Sequence, residues 1–182
     1  MKVISGKYKG RKLLGYNIDG TRPTMDRVKE SLFASIQDYV KDSIILDLFS
    51  GSGSLGIESL SMGSKYAYLN DKSSEAYNII KKNIESINIK DYKLSKLDYK
   101  RALKEYYDNN IKFDIIFLDP PYKSEYIKNS IDLITKYKLL NKEGIIVIES
   151  SSIDKISYNK DYIVVKEKKY KDKLVVILKY IC

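Results

Sequence analysis

The sequence contains no histidine, and its single cysteine, Cys182, is the last residue. Without these side chains, a Ser-His-Asp triad, a histidine general base, an internal thiol nucleophile, a disulfide and a cysteine-based zinc site are all excluded. Carboxylates, lysines, tyrosines and backbone groups remain as candidate catalytic groups. We therefore expect chemistry that needs little acid–base assistance and no metal ion.

Long apolar runs are also missing. No stretch of 18 apolar residues occurs, and the first ten residues, MKVISGKYKG, lack the apolar core of a signal peptide. Apolar residues make up 43% of the 182 and recur in short segments between polar turns, as is typical of one globular domain. We expect a cytoplasmic, monomeric protein with no membrane association.

Acidic residues are outnumbered, and the formal net charge of +9 favours a polyanionic partner such as nucleic acid. Three of the four arginines lie in the first 27 residues, and a second basic cluster spans Lys166 to Lys173. Arginine suits phosphate and base-edge contacts, so the N-terminal segment is the predicted RNA-facing surface. Its candidate RNA-binding residues are Lys7, Lys9, Arg11, Arg22 and Arg27. An ordinary solvated basic surface is the alternative.

Strand-like and helix-like segments alternate along the chain. Residues 3–18 predict two short strands with turns at Ser5-Gly6 and 15–20, and Pro23-Thr24 starts a helix with a periodic apolar stripe. Further strands are predicted at 44–49, 66–70, 92–94, 113–119 and 145–150, and further helices at 54–62, 74–87, 99–107 and 125–137. The segments DYIVVKEKKY and KLVVILKYI predict a closing pair of strands.

Such alternation predicts an α/β fold of the Rossmann-like type, with a mostly parallel seven-stranded sheet, helices on both faces and an antiparallel terminal strand. We expect a single domain over 1–182. Residues 1–40 form its N-terminal hairpin and helix extension, and residues 41–182 form its core.

A glycine-rich segment, DLFSGSGSLG, joins the predicted strand at 44–49 to a helix and contains GxGxxG at Gly51, Gly53 and Gly56. Glycines at such a turn let a ligand approach the backbone near a helix N-terminus. Asp47, just before the turn, would repel a dinucleotide pyrophosphate. The same carboxylate would attract the sulfonium and ammonium groups of S-adenosylmethionine, which is the predicted cofactor.

Two further acidic residues follow the next two strands. Asp71 lies about 20 residues after the glycine turn, where a carboxylate can accept hydrogen bonds from both ribose hydroxyls. Alternatively, it is a turn residue or a helix-capping residue before Ser73 and Ser74. Asp98 can accept from the adenine amino group, or it is a helix N-cap. Both alternatives stay open at the level of sequence.

The motif DPPY, Asp119 to Tyr122, follows the apolar strand FDIIFL. Pro120 and Pro121 fix the backbone, so the Asp119 carboxylate and the Pro120 carbonyl can both accept from an exocyclic amino group and aim its lone pair at a methyl donor. Tyr122 offers a stacking face, worth roughly 1–3 kcal/mol per base, or is simply a packed tyrosine. If the strands at 44–49 and 113–119 are neighbours, the methyl donor and the amino group that accepts the methyl group share one cleft.

Several segments together resemble one family. They are ISGKYKGRKL (4–13), TRPTMDRVKESLF (21–33), DLFSGSGSLGIESLSMG (47–63), Asp71 with EAYNIIKKN (75–83), DPPY and IIVIES. The chain resembles class I methyltransferases, and more closely the small bacterial 16S ribosomal RNA guanine-N2 methyltransferases of the RsmD family. It departs from that family at Asp71, where glutamate is frequent.

The resemblance implies that 47–56 with Phe49, and then Asp71 and Asp98, bind S-adenosylmethionine, leaving S-adenosylhomocysteine as product. It implies that 119–122 hold a guanine of 16S rRNA, within a small ribosomal subunit or an assembly intermediate. Thr24 and Arg27 would lie near the cofactor or the target strand.

Other functions use the same motifs. DNA adenine-N6 methyltransferases usually carry a further recognition domain, and protein glutamine-N5 methyltransferases more often have asparagine at the position of Asp119. A C5-cytosine enzyme needs a cysteine nucleophile in the cleft of the sheet, and this sequence has none there. A non-catalytic RNA-binding protein with the same fold is disfavoured by the intact Asp119, Pro120 and Tyr122.

Overall fold

The computed structural model describes residues 1–15, 26–121, 124–151, 156–170 and 173–181. The helices within these ranges are α1 (Asp26–Val40), α2 (Ser54–Ser61), α3 (Ser74–Ile87), α4 (Tyr99–Asp108) and α5 (Ser124–Lys136). The strands are β1 (Ile44–Asp47), β2 (Tyr66–Asn70), β3 (Tyr92–Ser95), β4 (Phe113–Leu118), β5 (Leu140–Ser151), β6 (Tyr162–Lys169) and β7 (Lys173–Tyr180). Each strand and helix predicted after residue 26 is present.

The seven strands form one sheet in the order β3-β2-β1-β4-β5-β7-β6. The first five are parallel, and β7 lies antiparallel between β5 and β6. The predicted fold class is therefore confirmed. Strand β1 pairs directly with β4, and Asp47 lies opposite Phe117, so the strands that precede the glycine turn and the DPPY motif are neighbours.

Helices cover both faces of the sheet. Along β4, Ile115 and Phe117 pack under α1, α2 and α3, whereas Ile116 and Leu118 pack under α4 and α5. This alternation is the period of two of an extended strand buried on both sides. None of the helices in the described ranges has the length and apolarity that crossing a membrane requires.

Helix α1 forms because its apolar side chains recur every three or four residues. Val28, Leu32 and Ile36 lie on one buried face, and Phe33 contacts Phe117 of β4 with 5.9 Å between ring centroids. Burying each such side chain stabilises the fold by roughly 1.5–3 kcal/mol. The helix runs back from the carboxyl edge of the sheet toward the start of β1.

The N-terminal strands predicted at 3–18 differ from what the described residues show. A single antiparallel bridge joins Lys2 to Lys12, with the Val3 amide donating to the Arg11 carbonyl at 2.9 Å. The ladder stops there because the next amides are used elsewhere: those of Ile4 and Ser5 donate to the Glu58 carboxylate of α2. Residues 16–18 and most of the predicted turn at 15–20 lie outside the described residues.

A buried ion pair fastens this N-terminal segment to the helices. Lys29 Nζ of α1 lies 3.0 Å from Glu58 Oε2, and both side chains are fully buried. Lys29 also donates to the Lys2 carbonyl at 2.7 Å and to the Ser54 hydroxyl at 3.0 Å. Because Ser54 begins α2 directly after the glycine turn, this cluster links the start of the chain to the candidate cofactor site.

Two predicted strand boundaries differ from the structure by more than one residue. Strand β1 ends at Asp47, so Leu48 and Phe49 already belong to the turn. Strand β5 begins at Leu140, five residues before the predicted start at Ile145. Leu140 pairs with Phe113 ahead of a register shift in the β4–β5 pairing, and this irregularity hides the early pairing from the sequence pattern.

Candidate active site

The glycine turn and the DPPY motif open onto the same edge of the sheet. Both follow parallel neighbouring strands, and the Leu48 amide donates to the Phe117 carbonyl at 3.3 Å, which holds the two strand ends side by side. In open α/β sheets, ligands bind in the crevice at the carboxyl ends of the strands, where the strand order reverses. Here the order reverses between β1 and β4.

The glycine turn depends on a backbone conformation and a close packing contact that favour glycine. Gly53 has φ of 78°, a left-handed conformation that places it as the N-cap of α2. At Gly56, a Cβ atom would meet the Leu69 side chain at 2.1 Å, so any other residue here would force the buried Leu69 to shift. The Ser50 hydroxyl donates to the Asp47 carbonyl at 2.7 Å and closes the turn.

Asp47 lies at the bottom of this turn and is 1% exposed. Its Oδ2 accepts a hydrogen bond from the Gly56 amide at 3.2 Å. Burial, and to a lesser extent the charges of Asp71 and Glu149, raise the pKa of Asp47 from 3.8 to about 7. A buried carboxylate among other carboxylates fits a cationic ligand and disfavours a phosphate.

Asp71 connects the turn to the end of β2. One of its carboxylate oxygens accepts from the Gly51 amide and the other from the Ser73 amide, each at 2.9 Å. Ser73, rather than Asp71, is the N-cap of α3, and its hydroxyl accepts from the Ala76 amide. Asp71 is partly exposed beside the glycine turn, where ribose hydroxyls can still share its oxygens.

Asn70 organises the neighbouring loops and was missed by the sequence analysis. Its side-chain amide donates to the carbonyls of Leu48 and Leu97, and its Oδ1 accepts from the Leu97 amide and the Ser95 hydroxyl. The loops after β1, β2 and β3 are thereby joined through one buried side chain. A polar residue at the end of an apolar strand was the signal that could have identified it.

Asp98 is the N-cap of α4, and its Oδ1 accepts from the Lys100 amide at 2.9 Å. Its side chain is exposed at the same sheet edge. The capping alternative therefore holds, and the assignment to adenine stays a prediction.

An aromatic cluster lies beside the glycine turn. The half-buried Phe49 ring contacts Tyr99 of α4 at 5.6 Å and Tyr126 of α5 at 6.3 Å between centroids, and Lys72 Nζ lies 5.9 Å from the Tyr126 ring. These contacts bring together the segments that follow β1, β2, β3 and β4. Only Phe49 was among the predicted site residues.

The acceptor side of the edge begins at Asp119, directly after β4. Asp119 and Pro120 are partly exposed and Pro121 is exposed, so the strand end is open to a substrate. Tyr122 lies outside the described residues, and its predicted stacking role stays a prediction.

The predicted RNA-binding residues lie on the surface where they are described. Lys7, Lys9 and Arg11 are exposed, as is Arg27 on α1. The Lys7 amide donates to the Ser61 carbonyl at the last residue of α2, the end of that helix remote from the glycine turn. The structure therefore does not bring this lysine to the cofactor turn. Arg22 and Thr24 lie outside the described residues.

Comparison with known proteins identifies the family of this chain. The family model described as conserved hypothetical protein 95 matches residues 1–179. The chain belongs to this family. Relatives named ribosomal RNA small subunit methyltransferase D match most of the chain at 30% identity or more, so the resemblance noted in the sequence is confirmed.

Two such relatives carry the name ribosomal RNA small subunit methyltransferase D. The one from Buchnera aphidicola (Acyrthosiphon pisum) is 36% identical over 166 residues, covering 91% of this chain and 86% of its own. The one from Haemophilus influenzae is 32% identical over 173 residues, covering 92% and 88%. A crystal structure of a Haemophilus influenzae protein matches 100% of this chain and 98% of its own, with a TM-score of 0.83 at 28% identity.

Proposed function

We propose that this protein transfers a methyl group from S-adenosylmethionine to the exocyclic N2 of a specific guanine in 16S ribosomal RNA. The observation that carries this proposal is the pairing of β1 with β4, which puts an acidic glycine turn beside residues 119–121, the described part of the DPPY motif, at one sheet edge. The conserved hypothetical protein 95 family and its relatives named small subunit methyltransferase D support the same activity.

The residues of the turn fit S-adenosylmethionine, which supplies a methyl group activated by a sulfonium. Asp47 would attract its positive charge, Asp71 would accept from its ribose hydroxyls, and Asp98 from its adenine amino group. The main chain of Gly51 and Gly53 can be approached closely because these residues carry no side chain.

On the acceptor side, the Asp119 carboxylate and the Pro120 carbonyl would each accept a hydrogen bond from the guanine amino group. These contacts hold the nitrogen lone pair toward the methyl group, so orientation supplies most of the rate. The cofactor would supply the methyl group, N2 would bond to its carbon as the bond from that carbon to sulfur breaks, and Asp119 or water would then accept one proton from N2. The products are N2-methylguanine and S-adenosylhomocysteine.

The substrate is assigned to the small ribosomal subunit, or to an assembly intermediate, from the relatives' names and from the basic surface. Lys7, Lys9 and Arg11 are exposed near one another and can contact phosphates. A compact enzyme suits a single-stranded loop presented by an assembled particle, because proteins recognise RNA bases mainly where they are splayed out of helices.

Incubation with tritiated S-adenosylmethionine tests this assignment. Free 16S rRNA, small subunits from cells that lack the enzyme, and DNA would be offered in parallel, followed by nucleoside analysis by mass spectrometry. We expect label in N2-methylguanosine from 16S rRNA, with small subunits the better substrate. Label only in DNA, or only in methyladenosine, would refute the proposal.

A further inference from the structure

A second buried carboxylate lies on the acceptor side of the site. Glu149 of β5 is 1% exposed, and its Oε2 lies 2.6 Å from Nζ of Lys173, at the start of β7. Neither residue has a role in the candidate cofactor and base sites proposed so far. A buried charge pair is costly compared with apolar packing, so its presence at a functional edge calls for an explanation.

Strand pairing places Glu149 next to Asp119. Leu118, the last residue of β4, lies opposite Ile148 of β5, and Asp119 and Glu149 each come one residue later. Leu118 and Ile148 both pack in the core under α4 and α5. Since side chains alternate along extended strands, Asp119 and Glu149 are both assigned to the other face.

Asp47 belongs to that same face of the edge. Glu149 lies close enough to Asp47 for its charge to raise the pKa of that residue. Three acidic residues thus lie at or near the carboxyl ends of three adjacent strands, β1, β4 and β5, while Lys173 contributes the matching cation from β7. Adjacent strands are about 4.8 Å apart, which is within reach of two neighbouring atoms on one base.

We propose that Glu149 reads the Watson–Crick edge of the target base, accepting from guanine N1–H while Asp119 and Pro120 hold the adjacent N2 amino group. This inference rests on the proposed guanine-N2 activity and deepens it. Adenine carries a lone pair at N1 in place of the hydrogen, so a carboxylate at this position repels it. Glu149 therefore selects guanine, and Lys173 is a positioning residue that offsets its buried charge.

The depth of Glu149 strengthens the discrimination. Because Glu149 is 1% exposed, a flipped-out base that reached its carboxylate would meet it away from water, where a hydrogen bond gained or lost matters most. Enzymes that hydrogen-bond a substrate N–H reject analogues that lack it, because the hydrogen bond to the substrate is then lost.

Glu143 offers a matched control on the same two strands. Its carboxylate pairs with Lys179 of β7 at 2.5 Å, but at the opposite end of β5 and with a side chain 66% exposed. Glu149→Gln and Glu143→Gln therefore both remove a charge pair between β5 and β7, and only the first alters the proposed base-reading group.

The test first maps the guanine that the protein methylates in 16S rRNA. That guanine is then replaced by 2-aminopurine through splinted ligation, and the altered rRNA is reconstituted into small subunits. 2-Aminopurine keeps the N2 amino group and lacks N1–H. We expect wild-type protein to prefer guanine by about 100-fold in kcat/KM, and Glu149→Gln to lower that preference to below about 10-fold, by losing rate on guanine. Binding of S-adenosylhomocysteine, measured by calorimetry, should stay within about two-fold, and Glu143→Gln should match wild type.

Other results overturn the inference. An equal loss by Glu149→Gln on both substrates would make Glu149 a structural residue, and no loss on either would remove it from base recognition. These outcomes leave the proposed activity intact. A wild-type protein that methylates no guanine would instead refute the proposed function, and with it this role for Glu149.

Discussion

Two buried carboxylates, Glu58 and Asp47, lie near helix α2 and differ in how their charge is compensated. Glu58 is fully buried and pairs with Lys29, which also reaches the Lys2 carbonyl. Asp47 is 1% exposed and has a pKa of about 7. Within the described residues, none of the groups that shift this pKa is a cation. A buried carboxylate that pairs with its own lysine stabilises the fold, whereas a buried carboxylate without a cation is suited to bind a positively charged ligand.

Removing the compensating cation should have the largest effect on stability. We expect Lys29→Met to lower the free energy of unfolding by about 3–5 kcal/mol, because Glu58 is then left buried and unpaired. Urea denaturation followed by circular dichroism measures the loss. Lys81→Met, which removes an exposed pair with Glu85, is the control and should change stability little. A loss below about 1 kcal/mol for Lys29→Met would show that this pair does not hold the N-terminal segment.

Neutralising Asp47 should instead stabilise the protein and impair binding. The pKa of Asp47 is higher in the folded state than in the unfolded state, so the folded protein loses stability as pH rises from about 4 through 7. Asp47→Asn removes that cost and keeps an acceptor for the Gly56 amide. We expect the free energy of unfolding at pH 8 to rise by roughly 2–3 kcal/mol and the affinity for S-adenosylmethionine to fall about 10- to 100-fold.

Denaturation at pH 4 and pH 8 provides the control, because the gain in stability should nearly vanish at the lower pH. A destabilised Asp47→Asn variant at pH 8, or one with unchanged cofactor affinity, would remove the contrast between the two carboxylates.

Cofactor affinity should also depend on pH. Since the pKa of Asp47 is about 7 and a cationic ligand favours its ionised form, affinity should fall about 10-fold between pH 8 and pH 6. Calorimetry in buffers of different ionisation enthalpy should show a proton released on binding near pH 7. Asp47→Asn should bind with little pH dependence, and a flat profile for wild type would contradict the role given to Asp47.

The smallest effect is expected at Asp98, where capping and adenine recognition can be separated. Asp98→Ala should lose about 1 kcal/mol of stability through the cap of α4. Asp98→Ser keeps a capping oxygen and should retain that stability. If Asp98 also contacts adenine, both variants bind S-adenosylmethionine several-fold more weakly; normal affinity in Asp98→Ser would leave the residue with capping alone.

The sequence pattern was sufficient to predict the features that depend on residues close together in the chain. The apolar stripe of α1, the glycines at 51, 53 and 56 and the apolar run before Asp119 predicted the elements and the edge where the two motifs meet. The N-terminal strands were wrong because Glu58, more than 50 residues away in sequence, takes the amides that a ladder would use.

Contacts between residues that are far apart in the sequence leave little trace in the local sequence pattern. Lys29 shares the helical spacing of Leu32, Phe33 and Ile36, and a lysine on an apolar face was a hint of a buried partner. The partner itself could not be identified, since Glu58 comes from a different helix. Glu149 and Lys173 meet only through the antiparallel insertion of β7, which is a property of the sheet order.

The central claim is that cofactor and base are held at one edge by different residues, and Asp119→Ala tests it most directly. Methyl transfer to small ribosomal subunits and calorimetric binding of S-adenosylmethionine would be measured on the same preparations. Asp132→Ala, which removes an exposed carboxylate on α5, serves as control. We predict that Asp119→Ala loses at least about 100-fold in kcat while its cofactor affinity stays within about two-fold of wild type. Full turnover, or a large loss of cofactor affinity, would contradict the assignment of Asp119 to the acceptor side.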